Sequence, residues 1–244
     1  MNTKLSNIGF FGFDVFGTVV DWRSGIARAS EPFLKAVGLQ LDPFAFADEW
    51  RSLYQPSMER VRSGERSYVT LDVLNFENLE TVLTRHDVDL ETVGEDRLRD
   101  LNSAWEKLDP WPDSLKGLAL LKVLAPIGPL SNGHIAGMLR LARFAGLPWD
   151  VIVGSELTQS FKPQPRTYLR SAEAVGLPAN RVAMVAAHND DLVAARDNGL
   201  TTIFVRRPYE HGPDQTTDLR AEQQWDVVVD TLVEAAEALK HLTK

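Results

Sequence analysis

Ile8-Gly9-Phe10-Phe11-Gly12-Phe13-Asp14-Val15-Phe16-Gly17-Thr18 is the stretch that decides the fold. Apolar and small residues run from Ile8 to Phe13 without alternation and stop at a carboxylate followed by Gly17-Thr18. An unbroken apolar run predicts a strand buried on both faces, the habit of a parallel sheet. In an open parallel sheet, ligands bind beyond the carboxyl ends of the strands, so Asp14 stands where chemistry is expected.

Outward from that strand the texture changes twice. From about Trp22 to Pro110 the spacing predicts amphipathic helices over 24–37, 43–62 (interrupted at Pro56), 71–85 and 91–107, with no convincing strand. Beyond Pro110-Trp111-Pro112 helices alternate with short apolar runs. Helices are expected over 113–124, 134–145, 165–174, 190–198 and 231–242, and strands over 127–130, 151–153, 182–186, 202–205 and 227–229. This alternation predicts an α/β protein with a doubly wound, Rossmann-like parallel-sheet core. Residues 1–22 and 111–244 form that core, and residues 23–110 form a helical cap domain inserted after the first strand. No internal repeat is evident.

Composition removes several function classes. The 26 Lys and Arg against 34 Asp and Glu leave a net charge of −8, which argues against a nucleic-acid partner. With no cysteine in 244 residues, a disulfide framework, a thiolate metal site and a cysteine nucleophile are all excluded. No apolar run approaches the ~18 residues of a membrane span, and the run ending at Phe13 is too short for a secretory core of ~7–15 residues. A cytoplasmic protein without a membrane partner is the expectation.

The expected strand ends deliver Asp14, then Ser131-Asn132-Gly133, then the segment before Lys162, and last His188 to Asp191. In this order the four segments resemble the motifs of the haloacid dehalogenase superfamily. Phe13-Asp14-Val15-Phe16-Gly17-Thr18 is similar to its first motif and Leu130-Ser131-Asn132-Gly133 to its second. Lys162-Pro163 is similar to the third, and Val185 to Asp191 with Ala195-Arg196 to the fourth. The resemblance covers nearly the whole chain, including the inserted cap. Metal-dependent phosphatases of the superfamily carry a second Asp two residues after the nucleophile, where this chain has Phe16, and Gly-Asp where it has Ala186-Ala187. Magnesium wants oxygen ligands, so no metal and no cofactor are expected. Phosphoryl transfer needs positive charge against the phosphate oxygens, whereas halide leaves as the stable anion of a strong acid. The pattern therefore resembles the L-2-haloacid dehalogenase branch.

That resemblance implies a metal-independent hydrolytic dehalogenase of short 2-haloalkanoic acids. Asp14 would displace halide and form an ester that water hydrolyses. Thr18 would position Asp14, and Lys162 would keep it anionic. Ser131 would bind the substrate carboxylate and Asn132 the halide, while Arg51 of the cap would also receive halide. Tyr168 matches a family tyrosine. Asp191 would orient Lys162 or help the hydrolytic water, and His188, as a neutral imidazole, would activate that water. Val15, Phe16, Ser52, Gln55 and Asp190 would shape the pocket, an inward Asp190 repelling an anionic substrate.

Ordinary roles stand beside these. Thr18 is equally a turn hydroxyl, Ser131 and Asn132 helix caps, Arg51 a surface cation and Tyr168 a packing residue. His86, His134, His211 and His241 read as surface or loop groups, and Trp50, Trp105 and Trp111 as cap packing. The alternatives are a phosphatase- or phosphonatase-type hydrolase with an atypical magnesium site, and a non-catalytic binding protein on the same scaffold. The expected partner is a small haloacid, with a homodimer by family analogy.

Overall fold

The computed structural model describes residues 4–240, so His241 and the end of the helix expected to reach 242 lie outside the described residues. The six strands are β1 (Phe10–Phe13), β2 (Ile127–Ser131), β3 (Val153–Gly154), β4 (Val182–Ala186), β5 (Thr201–Val205) and β6 (Val227–Val229). They form one parallel sheet in the order β3-β2-β1-β4-β5-β6. Every residue of β1, β2, β4 and β5 is buried, as their unbroken apolar runs require, while the edge strand β6 is partly exposed. The strand order reverses between β1 and β4, which opens a crevice at their carboxyl ends. Asp14 leaves one of those ends and Ala187-His188 the other.

Between β1 and β2 lie α1 (Trp22–Ala36), α2 (Pro43–Ser52), α3 (Tyr54–Arg62), α4 (Leu71–Arg85), α5 (Leu90–Val93), α6 (Glu95–Asn102) and α7 (Ser114–Leu124). α8 (Ile135–Ala145) follows β2. α9 (Ser155–Thr158) and α10 (Pro165–Ala174) follow β3, α11 (Asn189–Asp197) follows β4, and α12 (Leu232–Lys240) follows β6. From 22 to 106 the described chain is helical and contributes nothing to the sheet. Asp21 and Asp42 start α1 and α2 by accepting the backbone N–H of Ser24 and Ala45. No described helix is long and apolar enough to cross a membrane.

Most element ends fall within two residues of the sequence reading, and three departures go further. The break within 43–62 falls at Leu53, and Pro56 sits in the first turn of α3, where a missing N–H forfeits no intrahelical bond. The segment 91–107 is not one helix: Gly94, at φ +81°, divides α5 from α6, and a 3-10 turn at Ser103–Glu106 closes it. Of the expected strand 151–153 only Val153 pairs with β2, joined by Gly154, and the chain turns at once into the four-residue α9, too short to leave a periodicity.

Candidate active site

The turn after β1 is built around Thr18. The backbone N–H of Ala187, at the end of β4, donates to Thr18 Oγ1 at 2.9 Å. The hydroxyl proton is thereby directed to Asp14 Oδ2 at 2.8 Å. One buried hydroxyl thus ties the ends of β1 and β4 together and fixes the carboxylate between them.

Lys162 follows α9 and projects to the same point, its side chain 7% exposed. Its Nζ donates to Asp14 Oδ1 at 2.9 Å and makes a very short ion pair with Asp191 Oδ2. Tyr168, one turn into α10, donates its hydroxyl to the other oxygen of Asp191 at 2.6 Å. His188 closes the arrangement, with Nδ1 3.2 Å from Asp14 Oδ2 and Nε2 2.8 Å from Glu210 Oε2. Glu210 is 1% exposed and also accepts from Trp22 Nε1 at 3.0 Å.

Burial alone would raise the pKa of Asp14, but Lys162 and His188 outweigh it and hold the carboxyl well below its usual range. Burial works against the charge on Lys162 too, yet Asp14 and Asp191 push its pKa up. His188 follows the same rule: desolvation disfavours its proton, while Glu210 and Asp14 raise its pKa well above the ordinary histidine value. Burial is the main reason the Asp191 carboxyl is raised. Both ring nitrogens of His188 thus face carboxylates, and this arrangement favours a protonated ring at rest, where the sequence reading expected a neutral imidazole.

Asn132 is locked in one orientation. Its Oδ1 accepts the backbone N–H of Lys162 at 2.8 Å and the Ser155 hydroxyl at 3.0 Å. A backbone N–H can only donate, so the amide nitrogen faces the other way and donates to Tyr54 Oη at 3.0 Å. Above it, the Arg51 guanidinium carbon lies 3.9 Å from the centre of the Tyr54 ring and 5.2 Å from that of Trp22. Among the described residues no carboxylate pairs with Arg51.

These groups line a cleft of about 1170 Å³ that carries Asp14, Arg51, Asn132, Lys162, Tyr168 and His188 on its walls. Ser52, Gln55 and Asp190 also border it, whereas Val15, Phe16 and Ser131 do not. Val15 is fully buried, Phe16 packs edge-on against Trp105, and Ser131 Oγ accepts the backbone N–H of Gly133. The apolar residues after Asp14 thus belong to the core, because the turn at Gly17-Thr18 folds them under the strand end. Asp190 is exposed at the rim and accepts the backbone N–H of Asp191, so its charge faces solvent.

His211 is exposed in the loop after β5, as the sequence reading has it, and stands edge-on to Trp22 on the cleft wall, while His134, in the loop after β2, is mostly buried beside Glu106. Trp22, Tyr54, Ser155 and Glu210 went unnoticed in the sequence, and only Tyr54, three residues after Arg51 in the chain, left a usable signal. Trp50 and Trp105 pack within the cap as expected. Phe16, Ala186 and Ala187 offer no side-chain oxygen, and the two remaining carboxylates both bind Lys162. This donor set does not fit the phosphatases' magnesium ion.

Residues 10–199 match the family model of haloacid dehalogenase-like hydrolases. The chain belongs to that family. This hydrolase is 46% identical to a defluorinating L-2-haloacid dehalogenase whose crystal structure superposes with a TM-score of 0.94, over 96% of this chain and 95% of the other. A second L-2-haloacid dehalogenase structure is 40% identical, with a TM-score of 0.90 and coverage of 96% and 99%. Among curated proteins it is 26% identical to an (S)-2-haloacid dehalogenase of Pseudomonas fluorescens, covering 83% of this chain and 86% of that protein. It is also 24% identical to a phosphoglycolate phosphatase of Neisseria meningitidis, over 86% and 85%.

Proposed function

We propose that this hydrolase removes halide from short 2-haloalkanoic acids without a metal ion, residues 23–110 acting as the cap over a core of 1–22 and 111–244. The observation that carries the reading is the position of the Lys162 ammonium, which bridges Asp14 and Asp191, the two carboxylates left where Phe16, Ala186 and Ala187 offer no oxygen. Desolvated and held anionic, Asp14 is a competent nucleophile toward saturated carbon. An Asp14 oxygen forms a bond to C2 of the substrate, the carbon–halogen bond breaks, and its electron pair leaves with the halide.

The Arg51 guanidinium, lacking a carboxylate partner, and the Asn132 amide then receive the anion. Ser131 braces the turn that presents Asn132, and Val15 and Phe16 pack beneath Asp14 rather than against the substrate. Thr18 and Lys162 hold Asp14 in line, with Tyr168 and Asp191 steadying the lysine.

Alkylation turns Asp14 into a neutral ester, so His188 loses one of its two anionic partners and passes its proton to solvent water. Neutral and still braced by Glu210, the imidazole takes one proton from the water that attacks the ester carbonyl carbon, and the water's other proton passes to the alkoxide oxygen as the ester C–O bond breaks. The cycle ends with the hydroxy acid released, Asp14 anionic and His188 protonated again. The similarity to dehalogenases at 46% and 40% identity supports this reading over phosphatase chemistry. The test is halide release from fluoro-, chloro- and bromoacetate and from 2-chloropropionate in excess EDTA. Undiminished release is expected, and magnesium-stimulated release of phosphate from phosphoglycolate with no halide release would overturn it.

A further inference from the structure

Tyr54 lies on the cap side of the cleft, 7% exposed, with its hydroxyl against the core residue Asn132. The direction of that bond is fixed. Asn132 must present oxygen to the Lys162 N–H, so its nitrogen donates and the Tyr54 oxygen accepts. The phenol therefore keeps its own proton for another acceptor, and among the described residues none takes it. Three donors then line one cleft as neighbours: the Arg51 guanidinium stacked on the Tyr54 ring, the remaining Asn132 N–H, and the Tyr54 O–H.

We infer that the Tyr54 hydroxyl is a catalytic hydrogen-bond donor to the departing halide, and that it matters most when the halide is fluoride. The inference rests on the dehalogenase reading above and adds a third group to the leaving-group pocket. As the carbon–halogen bond breaks, negative charge collects on the halogen, and donors aimed at that position lower the barrier. The Tyr54 proton stays on oxygen throughout, and the halide leaves as the free anion. Fluoride is the smallest and most basic halide, so it concentrates charge and gains most from a short O–H donor. Bromide spreads its charge and gains less.

Tyr54→Phe tests this, because the ring that carries Arg51 remains and only the hydroxyl is lost. Halide appearing in the first turnover is followed by rapid quench for fluoroacetate and bromoacetate, so that later ester hydrolysis does not mask the bond-breaking step. The expected loss is about 10–100-fold for fluoroacetate, the size of one hydrogen bond to a charged group, and about 3-fold or less for bromoacetate. If the wild type releases no fluoride, the series chloride, bromide, iodide is used, with the loss growing toward chloride. Equal losses across the halides would make Tyr54 a positioning residue for Asn132, and no loss would remove it from the reaction; either overturns the inference. A wild-type enzyme that releases no halide from any haloacid overturns the dehalogenase reading instead.

Discussion

Glu210 and His188 form a buried ion pair, and the proposed mechanism uses it in the second half-reaction. Burial disfavours each charge, yet each holds the other: Glu210 is lowered by His188, and His188 is raised by Glu210 and Asp14. For the glutamate, the stabilisation is present above its unfolded pKa of about 4.3 and is lost as pH falls through the lower folded value. For the histidine it is fully present below about 6.5 and is lost as pH rises through the raised folded value. Glu210→Gln should therefore cost about 3 kcal/mol in urea unfolding near pH 6 and progressively less at alkaline pH. A penalty independent of pH would contradict the pairing. Asp14, Lys162, Asp191 and His188 were legible because each sits in a local motif in a segment that follows a strand. Glu210 was not, since it reaches His188 from the loop after β5 and nothing near it in the chain announces a partner.

The turn after β1 shows why an element needs a particular residue. Gly17 adopts φ +90°, and a Cβ there would lie 2.0 Å from Glu210 Oε1. Gly17→Ala should lose about 1–2 kcal/mol from the backbone alone, and should slow ester hydrolysis more than ester formation by pushing Glu210 off His188. Thermal unfolding together with a burst of halide followed by a slower steady state would show it. Equal slowing of both steps would contradict that role. At this scale the sequence was most informative for long periodic segments such as α4, whose observed span coincides with the expectation. It failed where one residue divides a periodic run, as Gly94 does, and where an element is only four residues long, as α9 is.

Across the whole molecule, the cap shares an apolar interior with one face of the sheet. Phe46, Leu74 and Leu83 of the cap belong to the same buried cluster as Phe13, Ile127 and Leu232, while a second cluster around Phe10, Tyr168 and Phe204 fills the rest of the core. Side chains shared between cap and core predict a single cooperative unfolding transition, with circular dichroism and tryptophan fluorescence coincident. Leu74→Ala, at a fully buried position, should move that one transition by about 2–5 kcal/mol rather than split it. Separate cap and core transitions would contradict this. The doubly wound core with its helical insert was readable from alternating texture, but the depth at which cap and core share side chains was not, because tertiary packing leaves no local period. The central claim, that Asp14 itself becomes esterified and is freed by water attacking its own carboxyl carbon, is tested by a single turnover of enzyme in excess over substrate in heavy-oxygen water. Mass analysis of the peptide containing Asp14 should find the heavy oxygen in that side chain and ordinary oxygen in the hydroxy acid; label in the product alone would contradict the account.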